Sequence, residues 1–231
     1  MLGVLVNTAA VIAGGLIGLV FKKGLGEKLT SAVMTILGLF TLYVGIDGAL
    51  EGQDMIVVLI SAVLGTIIGT LLDLDGLILK AGEKLGGKSS GSGFAQGFMS
   101  GTLLFCIGAM AVVGSLRSGL TGDHSITYTK SAMDFISAMM LTASLGVGVL
   151  FSSISVFAVQ GSIVLLAGVL APVLSETAIA DLSCTGSLFI IALGLNLMGV
   201  TKIKVANGLP AIVITPVILW LWNTVSGLLV K

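Results

Sequence analysis

Asn7, Asp47, Asp134, Gln160 and Asn196 each stand inside a long apolar run of this sequence. An Asp at the centre of a membrane helix costs ~2.5–3.5 kcal/mol on insertion scales. Such groups usually face a bundle interior or a wet cavity. There they can bind a polar solute, guide an ion or, in the case of Asp134 or Asp47, carry protons in a coupled cycle. Each also has a plainer reading. Asp47 and Asn7 lie near the ends of their runs and Asp134 early in its own, where all three would meet interfacial water. Gln160 and Asn196 lie deeper, and would tie helices together by hydrogen bonds worth ~0.6 kcal/mol on average. Asn207 stands beside the stretch "NGLPAIVITP" and would close the other end of a path begun at Asn7.

Other chemistry is not indicated. The single histidine, His124, falls in a loop, and no Ser/His/Asp set or metal-ligand cluster is present. "DLDG" at residues 73–76 lacks the rest of a calcium loop. No nucleotide-binding loop is present, which argues against ATP-driven transport by this chain alone. Cys106 and Cys184 read as small core residues. No cofactor is implied, and a few polar groups in an apolar chain suit passage or binding better than catalysis.

The elements that must position these groups follow from composition. Of 231 residues, 56% are hydrophobic and 10% charged, with a mean hydropathy of +1.17. A soluble domain carries roughly 25% charged residues. The apolar runs approach the ~20 residues that span a bilayer as a helix, and the ~10-residue alternation of a membrane barrel is absent. The expectation is an all-α, polytopic transmembrane bundle forming one domain over residues 1–231. Zero net charge argues against a nucleic-acid partner. The start has no basic segment before its apolar stretch and reads as a first span, not a cleaved signal.

About eight helices are expected: 3–21, 29–50, 55–72, 94–116, two within 131–172, 183–200 and 206–229. Between Ser131 and Pro172 the only formal charge is Asp134, so two helices with a turn near "FSSIS", residues 151–155, fit that stretch. Residues 76–92 would hold a short interfacial helix and then a Gly/Ser loop. With the N-terminus outside, Lys22, Lys23, Lys28, Lys80, Lys84, Lys88, Lys202 and Lys204 fall inside, and Arg117, Lys130 and Lys231 outside. That asymmetry agrees with the positive-inside rule, and one crossing fewer weakens it.

Glycine is abundant, at 33 residues. Gly14/Gly18, Gly65/Gly69 and Gly93/Gly97/Gly101 have the spacing that lets helix backbones approach closely. A homo-oligomer is a second use for such faces. Gly108 and Gly114 in one span, and Pro210 in the last, are candidate helix breaks, whose free carbonyls could bind a cation or solute. Pro216 is a further kink candidate. Laying Phe40 on Phe189 also lays Leu39 on Leu188, Gly45 on Gly194 and Asp47 on Asn196. This suggests an inverted repeat of helices one to three (3–75) and six to eight (152–229), joined by residues 76–151, as in many secondary transporters.

The stretch "LLFCIGAMAVVGS…GLTGD" within 101–161, "GLNLMGVTKIKVANGLPA" at 194–211 and "VNTAAVIAGGLIG" near the start resemble a family of bacterial inner-membrane proteins of unknown function, the YdfK/YqgA-like family. The matching positions include Phe105, Cys106, Gly108, Gly114, Ser115, Gly122, Asp123, Lys130, Asp134, Gln160, Gly161, Asn196 and Asn207. Ala109 stands where the resemblance leads one to expect proline. The resemblance implies a multi-pass protein of the bacterial plasma membrane and no settled substrate. Two readings follow: a secondary transporter or channel for a small solute or ion, or a non-transporting membrane scaffold, assembly factor or sensor. An intramembrane enzyme is a third, for which only Asp47 with Asp134 could be nominated.

Overall fold

The computed structural model describes the backbone of residues 1–22, 27–78, 80, 91–172 and 174–229, with the side chains of 22, 27, 30, 91, 92, 109 and 225–229 excepted. All regular structure among the described residues is helical. The elements are α1 (Leu2–Lys22), α2 (Glu27–Ala49), α3 (Met55–Leu71), α4 (Gly91–Cys106), α5 (Ala109–Leu120), α6 (Ser125–Leu145), α7 (Val147–Leu165), the single turn α8 (Ala167–Leu170), α9 (Glu176–Leu197), a 3-10 turn at Val205–Gly208, and α10 (Leu209–Leu229). The chain is thus an all-α helical bundle. Among the described residues, five helices are long and apolar enough to cross a membrane, and α4 with α5 makes a sixth if that bent pair is one span. α3 is apolar but shorter, and α6 is not among the five.

Large apolar side chains such as Val20, Leu71 and Val213 face outward along these helices, as lipid contact requires. Inside, backbones approach where side chains vanish. α1 packs chiefly on α6, and a Cβ at Gly14 or Gly18 would run into the carbonyls of Phe135 or Met139. α3 packs on α10, and a Cβ at Gly69 would run into the backbone of Asn207. α2 and α9 run antiparallel, with Gly38 against Met198, Gly45 against Ile191 and Gly48 against Ser187. α4 lies on α7, and α9 touches both α4 and α5.

Several boundaries depart from the sequence reading. The turn expected at 151–155 is not there; α7 runs through it. The break is at Gly146, where φ is 88°, a conformation open to glycine at little cost. The serines of "FSSIS" do not end the helix, because Ser152 Oγ donates to the Val149 carbonyl at 2.6 Å and so satisfies itself locally. α6 starts at Ser125, which turns much of the expected loop into helix and carries Lys130 into the bundle. α9 starts at Glu176, capped by Ser175 Oγ, which accepts from the Ala178 N–H at 3.2 Å. Gly114 breaks nothing; it lies inside α5, where Thr127 and Ile126 press close. The last helix breaks before Pro210, at the junction of the 3-10 turn and α10, and a proline in a first turn forfeits no helical hydrogen bond. Pro216 lies within α10. The Gly/Ser segment at 81–90 lies outside the described residues.

Candidate functional site

Gly108 is where the site begins. α4 ends at Cys106, α5 starts at Ala109, and the two are bent by 57°. Gly108 itself has φ 124° and ψ 152°, which only glycine adopts without strain. No proline is needed at 109. Phe105 is in the last turn of α4, where carbonyls have no partner within their own helix. Its oxygen instead accepts from Gln160 Nε2 of α7 at 3.4 Å.

Gln160 belongs to a cluster built with two more helices, α1 and α6. Asn7 Nδ2 of α1 donates to Gln160 Oε1 at 3.2 Å and to Asp134 Oδ2 at 3.0 Å. Lys130 Nζ, one turn before Asp134 on α6, donates to both carboxylate oxygens, at 2.8 and 2.6 Å. Asn7, Lys130, Asp134 and Gln160 are all buried, none more than 7% exposed. Burying an ion pair costs several kcal/mol per ion, recovered only with good geometry and further hydrogen bonds. The bidentate contact and the Asn7 bond meet both conditions. Asn7 Oδ1 is left buried without a partner, an unfilled acceptor in an otherwise connected network.

Lys130 and Asp134 of this cluster line one side of a cavity of about 380 Å³. Its walls are the break (Leu104, Phe105, Ile107 and Gly108), the N-terminal turn of α5 (Met110, Ala111), Lys130, Asp134 and Ser137 of α6, Ser183, Ser187 and Ile190 of α9, and Asp47 and Glu51 at the end of α2. The space is in the range of small-molecule sites. Its polar lining carries both signs of charge and both ends of a broken helix, whose partial charges are opposite.

The residues singled out from sequence are therefore divided. Asn7, Asp134 and Gln160 converge, and Asp47 lines the same cavity as Asp134 from an exposed position. Asn196 and Asn207 do not join them. Asn196 pins the following loop: its Oδ1 accepts from the Ile203 N–H at 2.9 Å and Thr201 Oγ1 at 2.7 Å, and its Nδ2 donates to the Ile203 carbonyl at 2.8 Å. Asn207 Oδ1 accepts from the Asp75 N–H at 3.0 Å, and its Nδ2 reaches Thr70 Oγ1 at 3.4 Å. Asp47 and Asn196, matched by the sequence alignment, thus have unlike surroundings. Two buried charges were missed. Lys130 lies in the loop expected before residue 131, although its spacing from Asp134 is that of a helical ion pair. Asp181 fell in the segment before the expected helix, yet it is fully buried in α9 and accepts from the N–H groups of Gln53 and Asp54 at 2.8 and 2.9 Å.

Residues 2–220 match the family model described as "Protein of unknown function (DUF554)". The chain belongs to this family. It is 30% identical over 224 residues to "Uncharacterized membrane protein YdfK" of Bacillus subtilis (strain 168), spanning 95% of this chain and 96% of that protein. It is 29% identical over 221 residues to "Uncharacterized protein YqgA" of Escherichia coli (strain K12), spanning 93% and 94%. No solved structure matches. The family resemblance read from the sequence is thereby established, and with the apolar helices it makes this a membrane protein.

Proposed function

We propose that this protein is a secondary transporter or channel for a small solute or ion, in a bacterial plasma membrane, with its N-terminus outside. The observation that carries the proposal is the cavity at the Gly108 break, backed by a buried cluster of Asn7, Lys130, Asp134 and Gln160 from three helices. A chain spends a buried ion pair and an interrupted helix where function requires them. Broken helices that face polar side chains are the form binding sites take in secondary transporters. In this reading Asp134 and Lys130 are the exchangeable charges, Asn7 and Gln160 hold them to the break, and Asp47 receives the solute at the mouth. The antiparallel α2–α9 pair is what an inverted repeat would produce. No enzymatic step, cofactor or nucleic acid enters the proposal. Any second copy would meet this one through surfaces other than the faces of Gly14 and Gly69, which are filled within the chain.

Non-transporting scaffolding is the alternative, favoured by the bonds of Asn196 and Asn207, which hold loops. Substituted cysteines separate the two. In a Cys106→Ser/Cys184→Ser background, Ser137→Cys and Ser187→Cys should react with a membrane-impermeant maleimide from one face of sealed vesicles. Protection of both from both faces would make the cavity closed to water and the scaffold the better reading.

A further inference from the structure

The cavity at the break has a counterpart. A second cavity, of about 360 Å³, is lined by Gln96 and Met99 of α4, Leu193 and Asn196 of α9, and Lys202 and Lys204 beyond it. The two cavities touch the same pair of helices at different levels. On α4 the second reaches Met99 and the first starts at Leu104; on α9 the second starts at Leu193 and the first reaches Ile190. At 1.5 Å of rise per residue these intervals are about 8 Å and about 5 Å, against ~30 Å of bilayer hydrocarbon.

Met99, Leu103, Ile190 and Leu193 fill the interval. They belong to one apolar cluster, and none is more than 6% exposed. Beside them, Ser100 is fully buried and its hydroxyl has no hydrogen-bond partner. An unpaired buried hydroxyl is costly and would gain partners as soon as water entered.

We infer that the two cavities are opposite vestibules of one path for small hydrophilic solutes, closed between them by a gate of Met99, Leu103, Ile190 and Leu193. The inference rests on the transport reading above and deepens it. Apolar constrictions close pores by excluding water, and a thin one opens with small displacements. α4 can supply the displacement, since the Gly108 break frees it from α5. Tilting α4 on that break draws Met99 and Leu103 away from α9. The second vestibule carries Asp75 with Lys202 and Lys204, so a charged or polar solute finds partners on leaving the gate.

The test uses the full chain in liposomes, with potassium ion and glycerol as probes. Leu103→Ser and, separately, Leu193→Ser should raise the leak of at least one probe by about tenfold or more as the constriction wets, while Leu103→Ile should not. In the cysteine-free background, Ser100→Cys should be protected from maleimide and become labelled once Leu103→Ser is added. Folded serine variants that stay tight, with Ser100→Cys still protected, would overturn the gate. If Ser137→Cys and Thr201→Cys then label from opposite faces, the vestibules and the transport reading survive that failure. If neither Ser137→Cys nor Ser187→Cys ever labels, the transport reading falls and the gate with it.

Discussion

Asp134 and Asp181 are both buried carboxylates, one on α6 and one on α9, and they are held by different kinds of donor. Asp181 is held by backbone. The N–H groups of Gln53 and Asp54 converge on its Oδ1, while Oδ2 is buried without a partner. Those donors are fixed by the turn between α2 and α3, so Asp181 locks that turn to α9. Asp134 is held by side chains, Lys130 and Asn7, which have rotatable bonds that backbone donors lack, and it borders a cavity that Asp181 does not line. Fixed donors suit a structural post. Movable donors beside open space suit a site whose occupant changes.

The largest effect should separate removal of one charge from removal of both. Asp134→Ala leaves the Lys130 ammonium buried and unpaired, at an expected cost of about 3–5 kcal/mol; thermal unfolding in detergent would measure it. Lys130→Met with Asp134→Leu should recover most of that stability, because apolar replacement of a buried pair is often neutral, yet abolish any solute flux. A double variant that keeps flux would break the comparison.

Asp181→Ala strands two N–H groups and should cost about 2–3 kcal/mol, without changing maleimide access at Ser137→Cys. Gly69→Ala drives a methyl into the Asn207 backbone and should cost about 1–3 kcal/mol, again with access unchanged. Asn196→Ala should cost about 1 kcal/mol and raise protease sensitivity or hydrogen exchange at 201–203 before anything else.

The smallest effect is a pH dependence outside the bundle. The Ser125 backbone N–H, donating to Asp123 at 3.0 Å, holds that exposed carboxyl below its usual range. A depressed folded pKa contributes stability that is complete above the ordinary carboxylate value and is lost as pH falls through the depressed one. Asp123→Asn should flatten the acid limb of the melting curve by lowering the melting temperature slightly at neutral pH while leaving the acid end unchanged.

Legibility from the sequence followed the same division. Class and most helices were legible because burial in lipid demands long apolar runs. Asn7, Asp134 and Gln160 were legible one at a time, since a polar residue in such a run has few reasons to be there. Their convergence was not, because contacts across α1, α6 and α7 leave no periodic trace. Lys130 is hidden because a charge at the edge of an apolar run marks a loop as readily as a buried pair, and Asp181 because the first turns of α9 are polar in sequence. Gly108 was visible as a candidate break, but Gly114 looked the same. What separates them is φ, which depends on neighbours: Gly114 is held in regular helix against Thr127, while Gly108 has nothing within 4 Å of where a Cβ would sit.

The bend at Gly108 also bears on how the chain is made. At 16 and 12 residues, α4 and α5 are about 24 and 18 Å long, each too short to cross the ~30 Å hydrocarbon layer alone. The Phe105 carbonyl obtains its Gln160 partner only after α7 has been synthesised. That bond therefore closes only when a later helix docks on the break, although α4 and α5 precede it in the chain.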